Sequence, residues 1–134
     1  MPTASPVKSL KVFIADDSRP IRERIAGMLS PVAAIVGECT NPRGCITGIL
    51  AARPDVVVLD VQLDGGQGLE VLRAVRAADP HVAFVVFSNN SQAAYRKRYL
   101  AAGAAAFLDK SSEFDQLAAA VASAPDFPTE VTRP

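Results

Sequence analysis

Five apolar runs of strand length recur along the chain: LKVFIAD (10–16), AAIVGE (33–38), VVVLD (56–60), AFVVFS (83–88) and AAAFLD (104–109). Most are continuous rather than alternating, as expected of parallel strands buried on both faces. Segments of helical periodicity separate them. Ile21, Ile25, Met28 and Leu29 fall at i, i+4, i+7 and i+8, with Ser18 as candidate N-cap and Pro20 in the first turn. Asn41 and Pro42 open a second helix carrying Ile46, Ile49 and Leu50 on one face, and Leu69, Leu72 and Val75 mark a third. A fourth, from about Ser91 to Ala102, holds Tyr95 and Tyr99 and stops at Gly103, a natural C-cap. The fifth has Phe114, Leu117, Ala118 and Val121 in register, with Ser112 and Asp115 spaced as a capping box.

Strand and helix thus alternate five times. That pattern predicts an α/β fold, a doubly wound parallel five-stranded sheet with right-handed crossovers and helices on both faces. A chain of 134 residues, 49% apolar, suits one domain with a real core. We place that domain at 9–123, between flexible tails at 1–8 and 124–134, the latter containing three prolines. Fourteen basic residues balance fourteen acidic ones, so no global field recruits nucleic acid or anionic membrane. No apolar run can span a bilayer, and the N-terminus MPTASPVKSLK lacks a signal peptide's apolar core, so the protein reads as cytoplasmic. Cys39 and Cys45, with one histidine and no CxxC, make a poor zinc site. Two buried thiols are expected, because a disulfide is unusual in the cytosol.

Ligands of open parallel sheets sit beyond the carboxyl ends of the strands. The first run ends in Asp16 and Asp17, the third in Asp60, the fourth in Ser88 and the fifth in Asp109-Lys110; the second ends near Thr40 with nothing obviously chemical. Carboxylates held close repel unless a cation joins them, and a few carboxylates with water and phosphate oxygens suit Mg²⁺. Asp60 could then act as a nucleophile toward phosphorus, with Mg²⁺, Lys110 and Ser88 stabilising the phosphoryl oxygens.

Four motifs in order, ADDS after the first strand, VVVLD with Gly68 eight residues on, VVFS, and AAGAAAFLDKSSEF, make the chain resemble a response-regulator receiver domain of two-component signalling over about residues 9 to 123. The resemblance implies strand order 2-1-3-4-5 and phosphorylation at Asp60 by a histidine kinase or histidine phosphotransfer protein. It implies Mg²⁺ on Asp17, Asp60 and the backbone carbonyl of Gln62, with Asp16 acting mainly through water. Lys110 and Ser88 would hold the phosphoryl group, Ser88 and Phe107 would form the switch, and Gln62 and Asn89 would tune the rates. Output would be a protein contact through the fourth helix, fifth strand and fifth helix, with Arg96 to Tyr99 meeting acidic groups and Tyr95 or Tyr99 as anchor.

Three positions depart from the family. Asn89 replaces the usual Ala or Gly and stands at the mouth of the site. Asp64 stands where proline is common, implying a more mobile loop, and Phe107 replaces the frequent tyrosine. Direct DNA binding is not expected, since the densest basic cluster is Arg96-Lys97-Arg98 and only about a dozen residues follow the fifth helix. A homodimer through the same face stays open. The alternative is a small Mg²⁺-dependent phosphatase of the haloacid dehalogenase type, which would place a DxD nucleophile on the first strand, where this chain has DDS.

Overall fold

The computed structural model describes residues 10–126 apart from Ser91. The elements run β1 (Leu10–Ala15), α1 (Arg19–Leu29), β2 (Ala33–Cys39), α2 (Pro42–Ala52), β3 (Val56–Leu59), β4 (Gln62–Leu63), β5 (Gly66–Gln67), α3 (Gly68–Ala78), β6 (Ala83–Ser88), α4 (Ala93–Ala101), β7 (Ala106–Asp109) and α5 (Leu117–Ser123). The main sheet has the order β2-β1-β3-β6-β7, every pair parallel. With the small β4–β5 hairpin set aside, this is the expected 2-1-3-4-5.

Side-chain alternation along the central strands divides the core into two layers. Val57, Leu59, Phe84 and Val86 pack toward α2, α3 and α4, whereas Val56, Val58, Val85 and Phe87 pack toward α1 and α5. All eight are at most 2% exposed, which is why their runs are unbroken by polar residues. The two edge strands differ: after the buried Ala33, β2 alternates exposed and half-buried positions, as an edge with one solvated flank should.

Local signals explain most boundaries. The Ser18 hydroxyl accepts from the Ile21 amide and the Asn41 side chain accepts from the Gly44 amide at 2.8 Å, so both predicted N-caps form. After α4 the chain reverses at Gly103, whose φ of +112° is open to glycine and closed to most side chains.

Several local expectations are corrected. In α2 the buried positions are Pro42, Cys45 and Ile49, while Leu50 is 39% exposed, because the helix meets the sheet one residue earlier than its apolar pattern suggests. The Ser112–Asp115 capping box does not form. Instead Glu113 turns back to accept from the Asp109 amide at 2.8 Å, and a 3-10 turn at Phe114–Gln116 leads into α5. That turn inserts Phe114 edge-on against Phe87 at 4.8 Å, under the Arg24 guanidinium. Residues 124–126, expected to open the tail, make a further 3-10 turn with Ala124 packed in the core. The remaining tail residues lie outside the described region.

The cysteines are also corrected: Cys39 and Cys45 are joined in a disulfide. The Asn41 cap folds the end of β2 directly into α2, bringing the two Cα atoms to 5.1 Å, inside the range a disulfide spans. Finally, the loop after Asp60 is held more firmly than the missing proline implied. Gln62–Leu63 pairs with Gly66–Gln67, Leu63 is buried, and the Asp64 amide donates to the Thr40 carbonyl at 2.9 Å.

Candidate functional site

The hydrogen-bond ladders continue one residue beyond three strands and so fix the residues there. The Asp16 amide donates to the Cys39 carbonyl at 3.1 Å, Asp60 to Ala15 at 2.9 Å and Lys110 to Ser88 at 3.0 Å. Strand alternation then turns Asp16 and Asp60 inward, at 2% and 8% exposure, and leaves Asp17 at the rim.

Lys110 ties the inner pair together. Its Nζ lies 2.6 Å from Asp16 Oδ2 and 3.0 Å from Asp60 Oδ2. The other Asp16 oxygen accepts from the Ser18 amide at 2.9 Å, and the Asp16 carbonyl accepts from Arg22 at 2.7 Å. Arg22 also pairs with Glu38 at 2.8 Å, so it braces α1 against both β1 and β2. Sequence reasoning missed Arg22, because a basic residue on the first turns of a helix carries no signal of its own.

Burial pushes the Asp60 carboxyl above its ordinary value and the Asp16 charge adds to this, although Lys110 and the Ser88 hydroxyl pull it down. For Lys110, burial works against the charged form. The hydrogen bond to Asp16 and the charges of both aspartates more than offset it, so the ammonium is held above its usual range. One ammonium therefore faces three carboxylates, and Asp16, Asp17 and Asp60 each bring an oxygen within 4.8 Å of the others. That leaves the site short of positive charge, with oxygen donors at a spacing a hard cation accepts.

The remaining predicted residues take varied places. Ser88 is 2% exposed and its hydroxyl accepts from the Asn90 amide at 3.0 Å. Phe107 is inward and buried, edge-on to Tyr99 at 6.0 Å, with the Arg96 guanidinium 5.3 Å from its ring centre. Gln62, on β4, and Asn89, on the loop after β6, are both exposed at the rim. Tyr99 is 1% exposed, so it cannot anchor a partner as expected; of the two tyrosines only Tyr95 reaches solvent. The chain's motif glycine has a steric reason: a Cβ on Gly68 would collide with the Asp60 carbonyl, and α3 must start there.

The family model of the response regulator receiver domain matches residues 12–122. The chain belongs to that family. As a receiver it is 31% identical over 110 residues to the transcriptional regulatory protein YesN of Bacillus subtilis, covering 80% of this chain and 30% of YesN. It is 31% identical over 114 residues to the DNA-binding transcriptional activator DevR/DosR of Mycobacterium tuberculosis, covering 84% of this chain and 52% of that protein. Among solved structures, the signal receiver domain of the response regulator NarL from Mycobacterium tuberculosis superposes with a TM-score of 0.83 at 29% identity, over 90% of this chain and 98% of that one. The receiver spans about half, or less, of the length of these curated relatives. Nothing in these matches supports the haloacid dehalogenase alternative. No helix among the described residues is long and apolar enough to cross a membrane.

Proposed function

We propose that Asp60 is the phosphoacceptor of this receiver, and that a histidine kinase or histidine phosphotransfer protein supplies the phosphoryl group. The carrying observation is the convergence of Asp16, Asp17, Asp60 and Lys110 at one end of a buried sheet, two of the carboxylates sharing one ammonium. An Asp60 carboxylate oxygen forms the new bond to phosphorus as the bond from phosphorus to the donor's imidazole nitrogen breaks. The bonding pair stays with the imidazole, and the product is an acyl phosphate.

Opposed ligands of Mg²⁺ stand about 4.2 Å apart, given metal–oxygen distances near 2.1 Å, so the three-carboxylate cluster fits the ion. Bound there, Mg²⁺ would offset charge on the transferring phosphoryl oxygens. Asp17, Asp60 and the Gln62 carbonyl would hold it, with Asp16 acting through water. Lys110 keeps Asp16 and Asp60 oriented at rest and lies within reach of an incoming phosphoryl oxygen. The Ser88 hydroxyl, whose oxygen already accepts from the Asn90 amide, retains its proton to donate to another. Asn89 and Gln62, exposed at the rim, would set access of water and hence the lifetime of the acyl phosphate.

Phosphorylation would then change protein contacts through α4, β7 and α5, by shifting Ser88 and Phe107, rather than turn over a substrate. Incubation with acetyl phosphate and Mg²⁺, followed by intact-mass measurement, tests the assignment. Wild type gains one phosphoryl group and Asp60→Asn gains none; equal labelling of both would remove Asp60 from this role.

A further inference from the structure

Away from the acidic site, three arginines converge between α3 and α4. Arg73, Arg76 and Arg98 line a cleft of about 350 Å³ whose remaining walls are Ala101 and Ala102. A second cleft of about 260 Å³, lined by Gln92, Ala94 and Tyr95, adjoins it across the shared Arg98. Helical geometry accounts for the separation of the basic triplet. Residues two apart on a helix point in roughly opposite directions, so Arg96 covers Phe107 on one flank while Arg98 turns toward α3.

Arg76 is fixed in place. One of its guanidinium nitrogens donates to the carbonyls of Pro80 and Val82 at 3.4 and 3.3 Å, and it packs so closely over Gly103 that a Cβ there would strike it. Arg73 and Arg98 are exposed, and among the described residues neither forms an ion pair. Three guanidinium groups therefore gather on a protein whose formal net charge is zero, and among the described residues none of the three is in an ion pair. Guanidinium forks match carboxylates in bidentate geometry, and alanine walls leave room for a side chain to approach.

We propose that this cleft binds an acidic segment of a partner protein, with carboxylates on Arg73, Arg76 and Arg98 and an adjacent apolar side chain against Tyr95. Two features favour a peptide over a free anion. The guanidinium groups lie open rather than closing around one small ion, and the neighbouring Tyr95 cleft offers an apolar contact that phosphate cannot use. A nucleic acid is disfavoured because the cluster ends within two helices and the chain has no net charge to extend it. The site lies on the α3 flank of α4, distinct from the Phe107 flank, and it does not depend on Asp60 being phosphorylated.

The test uses the full chain without phosphoryl donor and a short fluorescein-labelled peptide of alternating Asp and Glu ending in two leucines. Fluorescence anisotropy should show binding to wild type and a loss of about tenfold or more in Arg73→Glu/Arg98→Glu. The charge-matched control Arg43→Glu/Lys11→Glu, placed on other elements, should bind nearly as wild type. Replacing the two leucines by serines should weaken binding without abolishing it. Equal loss in the control pair overturns the proposal, since the effect would then be net charge. So does absence of binding to wild type, or displacement of the peptide by inorganic phosphate or a single-stranded oligonucleotide at matching concentration. Acetyl phosphate labelling of the Arg73→Glu/Arg98→Glu variant reports its fold and keeps failure here separate from failure at Asp60.

Discussion

At the scale of single residues, the acidic site holds more buried negative charge than its one ammonium can neutralise. Removing one partner of a buried pair usually costs several kcal/mol, because it strands the other charge. Lys110 is an exception, since Asp16 holds it at 2.6 Å whether or not Asp60 is ionised. Asp60→Asn should therefore stabilise the metal-free protein, by about 1 kcal/mol, because it relieves the desolvation of a buried charge and its repulsion from Asp16. Saturating wild type with Mg²⁺ at ten times its Kd should return about 1.4 kcal/mol and close the difference. Urea unfolding in EDTA and in Mg²⁺ checks both; a variant less stable than wild type in EDTA contradicts the charge argument. Tyr99 gives a second residue-scale test. Its hydroxyl is buried with no hydrogen-bond partner of proper geometry, and burial, only partly countered by the nearby Leu69 backbone, pushes its pKa up to about 12. Tyr99→Phe removes a desolvated, unpaired group, so it should be neutral or stabilising by about 1 kcal/mol at pH 7. The sign follows from proton counting. Between pH 10 and 12 the unfolded chain has lost the phenolic proton that the native state keeps, so wild-type stability falls with rising pH by up to about 1.4 kcal/mol per unit from this group. The phenylalanine variant should show a shallower fall over that window, and identical slopes would mean the hydroxyl is solvated after all.

At the scale of elements, legibility tracked how much of a signal was local. The N-caps Ser18 and Asn41 and the reversal at Gly103 were readable because a short side chain or a missing Cβ does the work within a few residues. The β4–β5 hairpin was not, because two-residue strands are too short for a hydrophobic period, and Gln62, Gly66 and Gln67 show none. Glu113's turn back to the Asp109 amide likewise competes with the Ser112 cap in a way sequence alone does not rank. The disulfide was misjudged because compartment statistics outweighed spacing: Cys39 and Cys45 are six residues apart, but only the immediate passage from β2 into α2 makes them neighbours. That link should matter to stability. Closing a loop of this length in the unfolded chain is worth about 2 kcal/mol in the chain-entropy account. Cys39→Ser/Cys45→Ser should lose roughly that amount, and a reducing agent should lower the wild-type urea midpoint while leaving the variant unmoved. Because the Cys39 carbonyl accepts from the Asp16 amide, the acidic site is bonded to the strand that ends in this link. Equal midpoints with and without reductant would mean that the link contributes nothing.

At the scale of the whole molecule, the unbroken runs in β3 and β6 already implied two helical layers, and the ends of β1, β3, β6 and β7 already gathered Asp16, Asp60, Ser88 and Lys110. What could not be read from them is how the site communicates with the surface. Phe107 is the link we propose: it is buried against Tyr99 and lies beneath Arg96, while Ser88 sits two positions beyond Val86, the residue paired with Phe107. Turning a phenylalanine out to solvent costs about 1.5–3 kcal/mol of apolar burial, and Phe107 has no hydroxyl to recover part of that at the surface. The inward packing should therefore dominate the unphosphorylated protein. A phosphoryl group can shift the balance only by its differential affinity for the two packings, which here means drawing Ser88 from the Asn90 amide toward itself. Beryllofluoride with Mg²⁺, followed by amide NMR, should move resonances from Asp60 outward through Ser88 to Phe107 and the Arg96–Tyr99 turn. In Ser88→Ala the shifts should stay near Asp60, because the hydroxyl that links the phosphoryl group to the space beside Phe107 is gone. Shifts confined to the acidic pocket in wild type would mean that this receiver does not signal through α4, β7 and α5.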